Sequence, residues 1–391
     1  MRIVGGYSEL FRNFAPILDM DSKKHHIQLP HLLRPLATLF PHPSSLISHP
    51  SSLIHHPSSI FHRLALVIIP LTSHFSLLTS QALFRLALVI IPLSSHFSVL
   101  SSQSFLSLPT SSHVAALGGD NVSLTDDDAT LVFHNPALIN FVSDKTINLN
   151  YMTYMEGCKT ASASFVKALT ERSSWAVTGQ YMDYGKMKET TADNQILGDF
   201  SARDIAVGGT FAYALTNKIN GGISAKFISS SIASYNALAV GVDLGLSYCD
   251  SLGDFSLALV AKNLGGQVKA YDDEFESIPF DLQFGLTKRL TNSPLRFSVT
   301  LTRLHDWSES FGRHLNIGAD LLLGENIYVA AGYNFRRSHE MKIADSEGAS
   351  AHGAGLSLGA GLALERLKLH IGYGKYHVSA YSLLFNISYV L

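Results

Sequence analysis

The chain has 391 residues, of which 46% are apolar and 15% charged, and its formal net charge is -2. That charge content, against about 25% in an ordinary soluble domain, argues against a disordered chain or a highly charged cytosolic surface, and the near-neutral balance excludes a basic nucleic-acid footprint. A mean hydropathy of +0.17 points toward a membrane, yet no stretch reaches the ~18 consecutive apolar residues of a spanning helix.

Residues 1–104 differ in composition from the rest of the chain. No Asp or Glu occurs between Lys24 and Gly119, and eleven of the eighteen histidines lie at or before His113. Two tandem repeats fill the region. His42-Pro43-Ser44-Ser45-Leu46-Ile47-Ser48 recurs at His49–His55 and, altered, at His56–His62, and Arg63–Ala82 recurs as Arg85–Ser104. Solenoid units diverge while keeping a structural period, and they need several copies to bury a core. These few, nearly verbatim copies read instead as a recent duplication outside the mature fold. A His-rich metal tract is the weaker reading, because no acidic partners accompany the histidines. Within the second copy, Arg85, the apolar run Leu86–Leu93 and the small-residue stretch to Ser102 have the three parts of a secretory signal, which places a signal peptide near 85–102.

From residue 145 the apolar pattern has period two. Leu238, Val240, Val242, Leu244 and Leu246 oppose Ala239, Gly241, Asp243, Gly245 and Ser247. Leu383, Phe385, Ile387 and Tyr389 oppose Leu384, Asn386, Ser388 and Val390. Such alternation marks half-buried strands. In a soluble sandwich the second face would be rich in Lys, Glu and Thr, whereas here it is mostly Gly, Ala and Ser. An apolar face outward and small or polar residues inward describe an all-β transmembrane barrel of the outer membrane. Strands of ~9–11 residues cross a bilayer without any long apolar run.

The spacing predicts about fourteen antiparallel strands, at 145–155, 158–169, 172–185, 203–215, 219–230, 236–248, 253–264, 280–290, 295–304, 314–323, 326–336, 353–365, 367–376 and 381–391. The links alternate in length, with two short exceptions at 155–158 and 376–381. Tight ones follow the second, fourth, sixth, eighth, tenth and twelfth strands, and long charged ones fall at 185–203, 264–280, 304–314 and 336–353. Short turns at the periplasmic side and long loops at the cell surface are the asymmetry of such barrels. An even strand count returns both ends of the barrel to the periplasm.

No H-E-x-x-H, G-x-S-x-G, P-loop or dinucleotide fingerprint is present, so no catalytic site, metal or cofactor is implied. Gly353–Gly361 has the wrong spacing for phosphate and sits inside an alternating strand. Asp243, Lys262, Asp320, Asn334, Lys368 and His370 point inward in this scheme. They could mark a permeation path, and read more simply as lumen residues paired with one another or with a plug. Asp126-Asp127-Asp128 reads as a solvated turn, with metal binding as the lesser reading. Cys158 and Cys249 lack metal spacing, and whether they pair stays open.

The segment 105–144, ahead of the first strand, carries the pattern Leu108-Pro109-x-Ser111, Ala115-Ala116-Leu117-Gly118-Gly119, the acidic turn, and then Asn135-Pro136-Ala137-Leu138. Leading into a barrel, this order resembles the outer-membrane barrels related to the long-chain fatty-acid transporters, whose N-terminal segment forms a hatch carrying Asn-Pro-Ala. Further stretches are similar to the PorQ-like barrels of the type IX secretion system of Bacteroidetes: Tyr184–Thr190, Gly198–Ala202, Lys226–Ile228, Val260–Gly265 and Pro294–Ser298. The resemblance covers about 105–391.

It implies a hatch at 105–144 with Asn135, Pro136 and Ala137 as its motif, and a barrel at 145–391. It also implies a non-enzymatic role at the cell surface: holding a PorZ-like protein in a complex with PorV- and PorU-like components that processes secreted cargo and attaches it. On that reading Lys186, Lys188, Glu189, Asp272, Asp273, Glu274, Arg337 and Glu340, in three of the long links, form the docking face. The alternative is a transporter of hydrophobic small molecules, with an apolar pocket beside Asn135–Leu138 and an opening in the wall.

Overall fold

A computed structural model describes residues 104–190, 196–271, 275–341, 343–345, 348–377 and 380–391. The repeats and the signal-like segment at 85–102 lie outside the described residues. Sixteen strands are present among the described residues, fourteen of which close into one antiparallel barrel. They are β1 (Thr146–Thr153), β2 (Lys159–Thr170), β3 (Ser173–Thr190), β4 (Ile196–Ala214), β5 (Ile219–Ile232), β6 (Tyr235–Asp250) and β7 (Phe255–Lys269), then β8 (Asp281–Arg289), β9 (Leu295–Leu301), β10 (Leu315–Leu323) and β11 (Ile327–Asn334). After a small separate hairpin, β12 (Ile343–Asp345) and β13 (Gly348–Ser350), the wall resumes with β14 (Leu356–Ala363), β15 (Leu367–Gly374) and β16 (Ser382–Val390). The seam joins the first and last strands, with Thr146 opposite Val390 and Thr153 opposite Leu383.

The alternation predicted from sequence is the alternation observed. On β6 the residues 237, 239, 241, 243, 245 and 247 are buried while the intervening ones are not. On β16, Leu384 and Asn386 are buried, whereas Phe385, Ile387 and Tyr389 are exposed on the outer surface. Leu149, Val177, Val207, Ile223, Leu259 and Val329 continue that apolar band around the wall. Closure leaves the barrel sheet no free lateral edge along the body of the wall, and every second side chain faces outward to what must be an apolar medium.

Fourteen predicted strands have fourteen counterparts, but three of the long links differ from the loops that their composition predicts. Residues 185–203 are mostly strand: β3 and β4 pair on past the wall, with Lys186 opposite Ser201, Lys188 opposite Asp199 and Glu189 opposite Gly198. On the other flanks, the pairing of β2 stops at Asp183 of β3, and that of β5 at Ala202 of β4. The result is a two-stranded ribbon standing above the rim, whose charged composition disguised it as a loop. Likewise β7 runs on to Lys269. The 336–353 link holds a short helix, α2 (Phe335–Glu340), besides the small hairpin.

Residues 104–144 fill the lumen. They form a short helix, α1 (Ser112–Ala116), and 3-10 turns at Ser104–Ser107, Ala129–Phe133 and Pro136–Phe141. Each of the later three elements starts on a capping side chain: Ser111 accepts from the Val114 N–H, Asp128 from Thr130 and Asn135 from Ala137. Such caps satisfy amides that an element enclosed by protein could not give to water. Val114, Leu117, Leu124, Leu131 and Leu138 pack into one cluster with Tyr328 and Ala330 of the wall. Cys158 and Cys249 form no disulfide.

Candidate functional site

The interface between the N-terminal plug and the inner wall holds most of the sequence-predicted polar residues. Its geometry begins with glycine. Three Gly–Gly pairs face each other across neighbouring strands: Gly222 with Gly245, Gly318 with Gly332, and Gly359 with Gly372. At every one of the six, an added β-carbon would overlap the plug. Asn135–Ala137 lies on the first pair, Leu117 and Gly118 on the second, and Ser112 and Ala116 on the third. Outward glycines such as Gly179 and Gly209 have open space instead. These six glycines are therefore seats in which plug backbone or short plug side chains rest directly on the sheet.

Asn135 shows what its motif does. Its Oδ1 accepts from the Ala137 N–H at 2.9 Å, and its Nδ2 donates to the Val122 carbonyl at 2.8 Å. Pro136 is the first residue of the turn, where a missing N–H costs nothing. The motif is a fully buried brace between two plug segments, and it acts structurally.

Charge fixes the plug at a second level. The Arg296 guanidinium of β9 grips Asp126 with two bonds, 2.6 and 2.9 Å, and donates from Nε to Asp320 of β10 at 2.8 Å. His113 of α1 sits between the same two carboxylates, with Nε2 2.8 Å from Asp320 and Nδ1 3.4 Å from Asp126. Its ring stacks on Tyr328, centroids 3.8 Å apart, and the Tyr328 hydroxyl reaches His370 Nδ1 at 2.8 Å. Nearby, Lys368 of β15 pairs with Asp127, whose carboxylate also takes the Ser143 N–H at 2.8 Å. Asp128 caps the next turn. The acidic run is thus no solvated turn: each of its three carboxylates has a fixed partner, two of them on the barrel wall. Burial alone would raise the Asp126 carboxyl, but the charge and hydrogen bonds of Arg296 together with His113 outweigh burial and hold it down to about 2.

The other inward residues are distributed around the lumen. Asp243 pairs with Lys226 at 2.8 Å and accepts the Asn263 N–H at 2.7 Å, at a bulge where Asn263 has φ +59°. Lys262, in the same bulge, is buried within electrostatic reach of Asp243, Asp120 and Asp281. Asn334 donates to the Gly118 carbonyl at 3.2 Å and caps α2. Asp320, Lys368 and His370 thus lie at the contacts with the plug's acidic run and His113, Asn334 meets the plug at Gly118 and Asp120, and Lys262 faces the same Asp120 while Asp243 pairs with Lys226. Sequence reasoning missed His113, Arg296, Tyr328 and Lys226. Arg296 and Lys226 left a trace, because each is a lone cation in an otherwise alternating strand.

Of the docking candidates, Lys186, Lys188 and Glu189 are exposed on the ribbon, and Glu340 pairs with Arg336 at the end of α2. Arg337 does not face outward. Its guanidinium lies 3.9 Å over the Tyr376 ring and reaches back to the Gly118 carbonyl, because Asn334 caps the helix in that orientation. Asp272, Asp273 and Glu274 lie outside the described residues.

A cavity of about 30 Å³ lies between the plug's Leu106, Leu108, Val132 and Phe133 and the wall residues Thr178, Gln180, Ser224, Lys226 and Asp243. That is room for one or two waters. The pocket expected beside Asn135–Leu138 is not what surrounds that motif, which is packed against Gly222 and Gly245.

No family model and no curated protein matches the chain. Solved structures do. A TodX deltaS2S3 mutant, described as a monoaromatic hydrocarbon channel, is 15% identical over 72% of this chain and 99% of that one, with a TM-score of 0.48. A Pseudomonas aeruginosa FadL homologue is 11% identical over 72% and 98%, TM-score 0.45. The CymD monoaromatic hydrocarbon channel is 13% identical over 72% and 97%, TM-score 0.46. The architecture itself rests on the strand pairing: a closed, fourteen-stranded antiparallel barrel occupied by its own N-terminal segment.

Proposed function

We propose that this chain is a non-enzymatic outer-membrane barrel, closed by its plug, which anchors a protein partner at the cell surface. The observation that carries this reading is the lumen. Three glycine seats and the Arg296–Asp126, Asp320–His113 and Lys368–Asp127 contacts hold the plug to strands on several sides of the wall. A barrel filled this way leaves its long-loop end as the working surface. The apolar outer band supports residence in a bilayer, and the tight-turn end corresponds to the periplasm of a Gram-negative cell.

The finer assignment, to the PorQ-like barrels that hold a PorZ-like protein beside PorV- and PorU-like components of type IX secretion, is supported by the motifs at 105–138 and the stretches at 184–190, 198–202 and 260–265. Deleting the gene tests it. The expected result is release of the surface partner into the medium and accumulation of unprocessed cargo bearing the C-terminal secretion signal. Unchanged cargo processing rules the assignment out.

A second reading, passage of apolar small molecules, has a specific observation behind it: the cavity lined on the plug side by Leu106, Leu108, Val132 and Phe133. It is also the activity named for the similar barrels TodX and CymD. At its present volume the cavity admits no hydrocarbon ligand, since ligand sites run to about 300–1,000 Å³, so this reading requires the plug to shift. Uptake of radiolabelled toluene and of a long-chain fatty acid by the deletion strain separates the two: loss of uptake with normal cargo processing selects passage.

A further inference from the structure

The projecting ribbon has two lateral edges, and they are built differently. Beyond the wall, residues 186–190 of β3 and 196–201 of β4 pair only with each other among the described strands. At about 3.3 Å per residue the ribbon rises roughly 20 Å. Unpaired strand edges invite pairing by another chain, and proteins defend them with bulges and lysines. The β3 edge has both defences: a register shift at Asp183–Lys186, Gly185 at φ +76°, and exposed Lys186 and Lys188. The β4 edge has neither lysine nor proline. Ile196 and Leu197 there are 62% and 65% exposed. β7, which also outruns its neighbour β8, makes a useful contrast, because its own loop covers it. There Asn263 donates to the Pro279 carbonyl, Gln267 accepts from the Glu276 N–H, and Ile278 is buried. No described segment does this for β4.

The register tells which groups are on offer. The Ser201 carbonyl accepts from the Ala233 N–H at 3.0 Å, so the Ser201 backbone faces the β5 side. By the alternation of an antiparallel strand the Asp199 backbone faces the same way, with no strand beside it. Across the ribbon's outer face Lys188 and Asp199 form one row, 3.5 Å apart. Met187 and Phe200 form the row on the opposite face. A strand added beside β4 continues both rows, with a cation next to Asp199 and an apolar side chain next to Phe200.

We propose that the surface partner docks by strand addition to the free edge of β4 at 196–200, through an extended segment bearing Lys or Arg opposite Asp199 and apolar residues opposite Phe200. The inference rests on the anchoring role above and specifies its contact. Two variants of the full-length chain in its own outer membrane test it, each first checked for normal heat-modifiable migration. Asp199→Ala removes the charge and keeps the backbone N–H, whereas Asp199→Pro removes both. The partner retained on the barrel falls several-fold in the first and about tenfold further in the second, the loss expected for one ladder hydrogen bond left unmade. A photoreactive phenylalanine analogue at Leu197 then cross-links to a partner segment carrying the basic residue, and changing that residue to Asp restores binding to Asp199→Lys.

Equal retention by Asp199→Pro and Asp199→Ala overturns the proposal, as do cross-links joining two copies of this chain or falling only on lipid. If the deletion strain holds its partner normally, the anchoring role fails. If the deletion strain sheds its partner while Asp199→Pro keeps it, only the docking edge fails.

Discussion

The two ends of this barrel treat their polar groups in opposite ways. Near the tight-turn end, Asp126, Asp127 and Asp320 are each matched to a cation or a histidine within hydrogen-bonding distance, and the plug amides are capped. At the long-loop end, the β3–β4 ribbon leaves one strand edge without a neighbour and keeps its charges in water, with Lys188 and Asp199 65% and 52% exposed. Carboxylates matched to the wall at one end and an unpaired strand edge at the other set the enclosed part of the molecule apart from the exposed one. An exposed ion pair contributes about 0–1 kcal/mol, whereas unpairing a buried one costs about 3–5.

The contrast can be broken most forcefully at Arg296. Arg296→Met leaves Asp126 and Asp320 without their guanidinium, and destabilisation by about 3–5 kcal/mol is expected. Thermal unfolding in detergent, monitored by the loss of heat-modifiable migration, checks it. Planar-bilayer conductance of the same variant should rise as the plug loosens. Next in size is Gly332→Val, which drives a side chain into the backbone at Leu117–Gly118. Overpacking a core costs about 1–3 kcal/mol, and the upper end is expected because rigid backbone cannot yield. Gly179→Ala, with open space around it, is the control and should leave limited proteolysis of the plug unchanged.

Acid sharpens the comparison more gently. Asp126 titrates at about 2 in the fold against an ordinary 3.8. A lowered carboxylate adds stability that is fully present above its unfolded value and is lost as pH falls through the folded one. Protection of the plug from protease should therefore stay level from about pH 8 to about pH 5 and decline between about pH 4 and about pH 2. A decline already at pH 6 contradicts this. The smallest effect belongs to Lys188→Ala on the ribbon, where melting should shift by less than about 0.5 kcal/mol.

Much of the wall was legible in the sequence, because period-two alternation is a local signal and each strand announces its own two faces. Strand ends were less so. The ribbon, Tyr184–Thr190 with Ile196–Ser201, is polar on one face and glycine-broken, and lacks the apolar band that lipid demands of the wall. Composition therefore read it as loop. The plug contacts were illegible for another reason. Asp126 lies 170 residues from Arg296, and His113 lies 207 from Asp320, and no spacing rule links residues brought together only when the barrel closes. What the sequence did carry was the bulk constraint: glycines recur on the inward face of alternating strands, which already calls for something seated there. The bulge at Lys262–Asn263 gave no local warning, since its neighbours alternate normally up to Val260.

The glycine seats have a further consequence for how the molecule forms. Gly222 and Gly245 belong to β5 and β6, Gly318 and Gly332 to β10 and β11, and Gly359 and Gly372 to β14 and β15. The plug precedes all of them in the chain, and the seam joins β1 to β16, the last of the fourteen barrel strands in chain order. A plug touching three separated sectors of the wall can complete its contacts only when the sheet has curled around it. It thus acts as a mandrel, setting the bore of the sheet that encloses it, and a chain deprived of it would have to find its curvature from the strands alone.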